Sequence, residues 1–393
     1  MSFPESAAAW RELLSAFSEF DKLFSEGPKA VRGAVATAEG YQNLATMLAL
    51  SLDMNFFADT VAPRFVDLLT PFRPDRRWGG DNTDCYYSYA VVDPRRTYRV
   101  SGSPNDSAMY SITVYNEPDP GAWPNRTVGL LYDTDMGLDG DGRFSCVLGP
   151  QRPSGYSGPF IELSDDARGI LTRDYHEHPE TGRRVDWTVE VIDHAGLPVV
   201  PAKTDAAVAK SLRATLRSAQ DMYALIPLIL VERQPEALPD GQSLTTNTLA
   251  PPYRAGGATF GYSMQDACYC LGGFSLQPGE ALVITTRQPK CRFWNLTLWN
   301  QYMAALDVEY GRAGINSGTA VPNADGTTTI VISRELLDHP NAISTKDHAE
   351  GLLSFRWFHS DDLPEHPTTA VVPVDEAPRA VVRSADDRAD PLS

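Results

Sequence analysis

The chain has 393 residues, 42% of them hydrophobic and 22% charged, enough to bury the cores of two or three domains. Its formal net charge of −17 opposes nucleic-acid phosphates and anionic membrane surfaces, so neither is expected as a partner. Met1-Ser-Phe-Pro-Glu lacks the basic and apolar regions of a leader, no apolar run is long enough to span a bilayer, and five cysteines without a CxxC pair read as buried free thiols, so a cytoplasmic location is expected.

Trp10, Leu13, Leu14, Phe17, Phe20 and Phe24 recur at steps of three and four and predict a helix with one apolar face. Val31, Val35, Ala38, Tyr41, Leu44, Met47 and Leu48 predict a second, after the Gly27-Pro28 break. Residues 1–70 are thus expected to be a helical segment. A first β domain follows over 71–204, in which Tyr110, Ile112 and Val114 alternate toward one face and Ser111, Thr113 and Tyr115 toward the other. Val208, Leu212, Leu216, Ala219, Met222 and Ile226 predict a helical linker over 205–240. A second β domain is expected over 241–375, with Trp294, Leu296 and Leu298 on one face, and a disordered tail over 376–393.

The two β regions are copies of each other. Met109-Tyr-Ser-Ile-Thr-Val-Tyr-Asn116 reads again as Phe293-Trp-Asn-Leu-Thr-Leu-Trp-Asn300, an offset of 184 (300 minus 116). At that offset Pro94 falls on Pro278 and Asp141-Gly142 on Asp325-Gly326. Short strands between turn clusters, twice over and without β–α alternation, predict a mainly β fold of two duplicated jelly-roll-like β-sandwich domains.

The densest polar and aromatic cluster is Trp78-Gly-Gly-Asp-Asn-Thr-Asp-Cys-Tyr-Tyr87. Asp81 and Asp84 are candidate acid and base, Asn82 can orient a ligand, and Tyr87 can line one; a capped turn entering a strand is the competing reading. Asp133 to Gly142 has the look of a calcium loop but lacks the acidic twelfth position, so it reads as turn chemistry. His176-Glu-His178 reads as an exposed loop with no third metal ligand, and no metal or cofactor is expected. His348 stands where the first copy has Asp166, and a histidine at a diverged position is a candidate acid or base. Trp299, Asn300 and Arg356 are candidate ligand contacts, although Tyr115-Asn116 repeats the first two, which favours a scaffold role.

Pro278 to Ile284, Cys291 to Asn300, Asp325-Gly326, Asn341 to His348, Gly351 to Trp357 and the Trp78 to Asp84 loop together resemble the bacterial family of domain of unknown function 1214, whose usual companion is domain of unknown function 1254. The resemblance implies a mostly β fold with jelly-roll-like halves and brings no activity with it. The family's Trp-Leu-Asp-Thr-x-Gly-His phrase reads Ala342-Ile-Ser-Thr-Lys-Asp-His348 here, without the tryptophan and its acid. The expectation is an enzyme acting on a small hydroxylated or carbohydrate-like molecule by acid–base hydrolysis or elimination. A non-catalytic small-ligand-binding protein and a homo-oligomeric scaffold are the alternatives.

Overall fold

The computed structural model describes residues 4–26, 30, 31, 33–193, 203–224, 246–254, 262, 264 and 266–378. The fold is mainly β, with four sheets in two sandwiches. The first sandwich takes β1 (Val66–Leu69), β2 (Cys85–Val91), β3 (Tyr98–Gly102), β4 (Met109–Asn116), β5 (Thr127–Tyr132), β6 (Phe144–Gly149), β7 (Phe160–Glu162), β8 (Ala167–Tyr175) and β9 (Thr188–Val191). The second takes β10 (Thr248–Leu249), β11 (Tyr253–Arg254), β12 (Ala267–Ser275), β13 (Glu280–Arg287), β14 (Phe293–Trp299), β15 (Gly314–Asn316), β16 (Thr327–Ser333), β17 (Ala342–Ser344), β18 (Glu350–Phe358) and β19 (Thr368–Pro373).

The larger sheets run β1-β2-β8-β4-β5 and β10-β12-β18-β14-β15, and the smaller ones β7-β6-β3-β9 and β17-β16-β13-β19. Apart from β11, which pairs with β12 and has no counterpart in the first sheet, the two orders correspond, down to the single parallel pair in each, β6 with β7 and β16 with β17.

Alternation puts the expected residues inside. Tyr110, Ile112 and Val114 meet Val100, Cys146 and Leu148 of the facing sheet, and Trp294, Leu296 and Leu298 meet Ile284, Ile330 and Ile332. Burying each such side chain contributes about 1.5–3 kcal/mol. Cys268 and Cys270 point together into the second core, and all five cysteines are free. The repeated Asp-Gly pairs are turns: Asp139 Oδ1 accepts the N–H groups of Asp141 and Arg143, and Asp325 Oδ1 that of Thr327.

Three long helices cover the outer face of the first large sheet. Ala9 and Leu13 of α1 (Glu5–Phe20) pack on Ala209 and Leu212 across the molecule, while Trp10 and Leu14, expected on that apolar face, stay half-exposed. A short α2 (Lys22–Ser25) leads to α3 (Ala34–Ser51), which runs on into a π-helical turn at Leu52–Phe56. Past the one-turn α4 (Asp133–Met136), α5 (Asp205–Tyr223) starts on a Thr204 cap and lends its Asp205 carboxylate to the first N–H groups of α1.

Two readings need adjustment. The segment expected to be helical also holds β1, which pairs with β2, and Ala377, placed in the expected tail, is buried against Ala281 and Val331. The helical linker expected over 205–240 lies outside the described residues beyond 224, as does the tail beyond 378. Among the described residues no helix is long and apolar enough to cross a membrane.

Candidate functional site

The Trp78 to Asp84 loop leaves the first sandwich and lies across the outer face of the second sandwich's large sheet. The Asp81 carbonyl accepts from Trp299 Nε1 at 2.9 Å and from Arg356 Nη1 at 3.3 Å, and the Gly80 carbonyl accepts from Arg356 Nη2. Arg356 also sits 5.0 Å from the centre of the Trp299 ring, a cation–π contact. Asp81 Oδ1 accepts the Ala305 N–H at 2.8 Å, while Oδ2 is buried without a partner. Asn82 and Asp84 both accept from Asn295, and Asp84 Oδ1 accepts from Asn316 Nδ2 at 2.7 Å. Asp81, Asn82 and Asp84 are all nearly inaccessible to solvent. Burial pushes the Asp81 carboxyl up to about 7, against the pull of the Ala305 N–H and the charges of Arg77 and Arg356. Burial raises Asp84 as well, opposed by its donors Asn295, Asn316 and Thr83.

The same contacts recur with the halves exchanged. Arg173 of β8 stands opposite Ser111, as Arg356 of β18 stands opposite Asn295. It donates to the carbonyl of Tyr262, a residue of the second half, and Tyr115 Oη donates to that carbonyl as Trp299 Nε1 does to Asp81. Asp266 is the counterpart of Asp84: each carbonyl accepts the N–H of the histidine one past β8 or β18, His176 for Asp84 and His359 for Asp266. Each of the two carboxylates also accepts from the last residue of the edge strand of the opposite sandwich, Asn316 for Asp84 and Tyr132 for Asp266. Between the two clamps lies a cluster of matched residues, Cys85, Met109 and Tyr175 against Ala267, Phe293 and Phe358. The contact is reciprocal in the manner of an isologous dimer interface within one chain.

Of the expected residues, Asp81, Asn82, Asp84, Trp299 and Arg356 therefore meet in one clamp. Tyr87, on β2, packs beside the other clamp, with the Arg173 guanidinium 5.9 Å from its ring centre. Asn300 Oδ1 accepts the N–H groups of Tyr302 and Ala304, just as Asn116 Oδ1 accepts those of Asn125 and Arg126, so both fold the turn after their strand. His348 is engaged elsewhere: Nε2 lies 2.8 Å from Glu39 of α3 and Nδ1 2.7 Å from the Thr345 carbonyl. No described hydrogen bond or ion pair joins it to Asp81 or Asp84. Burial lowers its pKa, but Glu39 and the Thr345 carbonyl outweigh that and hold it above the ordinary histidine value. His176, expected in an exposed loop, is buried, its Nε2 2.9 Å from Asp174 Oδ1, while His178 is exposed. Among the described residues no cluster of three His, Cys, Asp or Glu side chains is placed to hold a metal ion.

An open cleft lies where the two copies differ, between the helices, the end of β4 and the Tyr262 loop. Its volume is about 20 Å³, room for about one water, and it opens to solvent. Tyr89, Tyr115, Trp123 and Tyr262 form an aromatic wall, Met54, Met222 and Ser218 the helical side, and Asn116, Glu117 and Arg168 the polar rim. Tyr89 and Tyr115 each meet Tyr262 edge-on, and Trp123 tilts against Trp78 and Tyr262. Gly169 makes room for this wall, since a Cβ there would lie 2.4 Å from the Tyr89 hydroxyl. Gly121, at φ +79°, lets the loop lie on α5, where a Cβ would meet the Ala214 carbonyl at 2.0 Å. The Trp123 N–H donates to Asp221 of α5 at 2.8 Å. At the matching place in the second half Gly80 donates to the Met303 carbonyl and packs against Trp299.

Sequence reading missed this cleft because its wall comes from four separate segments. One signal was present: the stretch Glu117 to Arg126, which holds Trp123, has no likeness to the stretch at the same offset, Gln301 to Tyr310.

A search of curated proteins returned no match. A solved structure of an uncharacterised protein from Burkholderia cenocepacia has a TM-score of 0.81 at 24% identity, over 93% of this chain and 97% of that one, a likeness of fold. A Vibrio parahaemolyticus protein has a TM-score of 0.49 at 12% identity, over 85% of this chain and 97% of that one. The family model described as protein of unknown function (DUF1214) matches the chain twice, over residues 88–179 and 274–362, each match starting within β2 or its counterpart β12 and ending past β8 or β18.

Proposed function

We propose that this protein binds a small molecule in the cleft between its helices and the end of β4, without transforming it through Asp81, Asp84 or His348. The observation that carries this reading is the aromatic cleft itself: concave, walled by Tyr89, Tyr115, Trp123 and Tyr262 with a few polar groups at its rim, the kind of lining a small-ligand site uses. The acid–base reading is weakened by what its candidates already do. Asp84 has both oxygens bonded within the clamp, Asp81 is buried beneath Trp299 and Arg356, and His348 is bonded to Glu39. A reaction on a hydroxylated or carbohydrate-like substrate would need these groups to reach it. A small molecule, rather than nucleic acid or a membrane, is also the partner that the net charge of −17 favours, and a cytoplasmic location goes with it. The division into domains over 71–204 and 241–375, each jelly-roll-like, belongs to the same reading and is supported by their matched strand orders.

Native mass spectrometry of the purified protein tests the proposal, with Ser218→Phe placing a ring in the cleft from the α5 side. A bound small molecule is expected on the unsubstituted protein and is lost in the variant while far-ultraviolet circular dichroism is unchanged. A ligand retained undiminished by folded Ser218→Phe would sink the proposal.

A further inference from the structure

A group of titratable side chains lies apart from the clamps and the cleft, at the turn between β17 and β18. Lys346 and Asp347 are consecutive non-glycine residues in the left-handed region, at φ +52° and +63°. That backbone is costly for residues with a Cβ and persists only where its surroundings hold it. Here the Ser344 hydroxyl accepts the Lys346 N–H, and Arg334 donates to the Asp347 carboxylate at 2.8 Å and to its carbonyl at 3.2 Å. The turn so held lays the Lys346 side chain over the Val308–Tyr310 turn, where Nζ donates to the Tyr310 carbonyl at 2.9 Å. Gly311 makes room for the amine, since a Cβ there would lie 2.8 Å from Nζ. The first copy has no such group: where Asp166 stands for His348, the residue two before it is Ser164, whose hydroxyl donates to Asp166 at 2.7 Å.

The nearby carboxylates are engaged by other cations: Asp307 and Glu309 pair with Arg77, Asp347 with Arg334, and Glu39 with His348. Among the described residues none forms an ion pair with Lys346. Partial burial lowers its pKa below the ordinary lysine value, with Asp307 opposing the shift. The Tyr310 carbonyl accepts from the neutral amine as well as from the ammonium, so Nζ stays in place when its proton leaves. We propose that Lys346 is a nucleophilic amine that condenses with a small aldehyde or ketone, at a site independent of the cleft. The lone pair of neutral Nζ attacks the carbonyl carbon, and the C=O π pair moves to oxygen, which takes up a proton. The carbinolamine so formed loses that oxygen with two protons as water, leaving an imine between Nζ and the former carbonyl carbon. Nothing is oxidised or reduced in this step.

Reductive alkylation of the full-length protein by glycolaldehyde at neutral pH tests this, with cyanoborohydride supplying the hydride that traps the imine. The chain has six lysines, so peptide mass spectrometry follows each one separately. Lys22 and Lys290 are the references, both more exposed than Lys346 and each paired with a carboxylate, that of Glu19 and of Asp361. Lys346 is expected to be alkylated several-fold faster than either. Asp307→Asn, which removes the opposing charge, is expected to raise the Lys346 rate further and to leave the references unchanged. Lys346→Arg keeps a donor for the Tyr310 carbonyl and is expected to abolish the fastest alkylation. The proposal is overturned if Lys346 reacts no faster than Lys22 and Lys290. It is overturned as well if the Lys346 rate is the same in Asp307→Asn while circular dichroism shows that variant folded.

Discussion

Asp81 is a carboxyl group placed where charge is expensive. One oxygen accepts the Ala305 N–H, the other is buried with no partner, and burial pushes the group up to about 7, far above the roughly 3.9 of an unfolded chain. The folded state therefore holds a proton on Asp81 that the unfolded state has released between those two values. Stability contributed by this group is full below pH 4, falls as pH rises, and is lost by the time pH passes about 7. Asp81→Asn keeps an acceptor for Ala305 and carries no charge at any pH. The variant is expected to match the parent near pH 4 and to exceed it by a few kcal/mol at pH 8.5, read from urea midpoints at both pH values. An equal difference at the two pH values would show that Asp81 is ionised in the fold throughout, stabilised by Arg77 and Arg356. The proton thus belongs to the clamp, which explains a perturbed acid here without asking it to meet a substrate.

At the scale of elements, His348 fastens α3 to the turn before β18. With Nδ1 donating to the Thr345 carbonyl, Nε2 faces Glu39 as a second donor, so the ring is charged in this geometry. Its folded pKa is raised, so the attachment is complete below the unfolded value of about 6.5 and weakens as pH rises through the folded one. His348→Ala is accordingly expected to cost more stability at pH 6 than at pH 9, measured by thermal unfolding; a loss larger at pH 9 would contradict the assignment. The sequence made the elements around this turn legible but not the attachment. Strands such as Met109–Asn116 and Phe293–Trp299 show in the sequence because alternation is local, and the copy relation shows because the offset of 184 holds across them. The clamps do not show, because their equivalents drift: Arg173 to Arg356 is 183 (356 minus 173) and Asp84 to Asp266 is 182 (266 minus 84). An ungapped comparison makes the Asp81 to Tyr87 loop look unmatched when Tyr262 and Asp266 are the structural counterparts of Asp81 and Asp84. His348 remains unmatched, and its partner Glu39 comes from a helix that the repeat does not contain.

Over the whole molecule, the two sandwiches are joined by exchange. Each sends the loop before its β2-type strand onto the other's large sheet, where an arginine, an aromatic residue and an edge-strand residue receive it. The matched cluster of Cys85, Met109, Tyr175, Ala267, Phe293 and Phe358 between them removes from water apolar faces that either sandwich alone would expose. Neither half satisfies all of its buried donors: Arg173 bonds Thr113 and Tyr115 of its own half but also the Tyr262 carbonyl, and Arg356 bonds the carbonyls of Gly80 and Asp81. Separating the halves would take acceptors from two guanidinium groups and expose the apolar cluster, so the sandwiches are expected to unfold as one unit despite their separate cores. Asn316→Ala removes a donor to Asp84, and Tyr132→Phe removes the donor to Asp266, at opposite ends of the same interface. Each is expected to lower stability by about 1–3 kcal/mol and to leave one transition, with circular dichroism and tryptophan fluorescence coinciding along a urea titration. Tryptophan reports on both halves, through Trp78, Trp123 and Trp187 in one and Trp294, Trp299 and Trp357 in the other. Two separated transitions in the parent protein, or a variant that shifts the signal of its own sandwich alone, would mean that the exchange aligns the halves without coupling their stability.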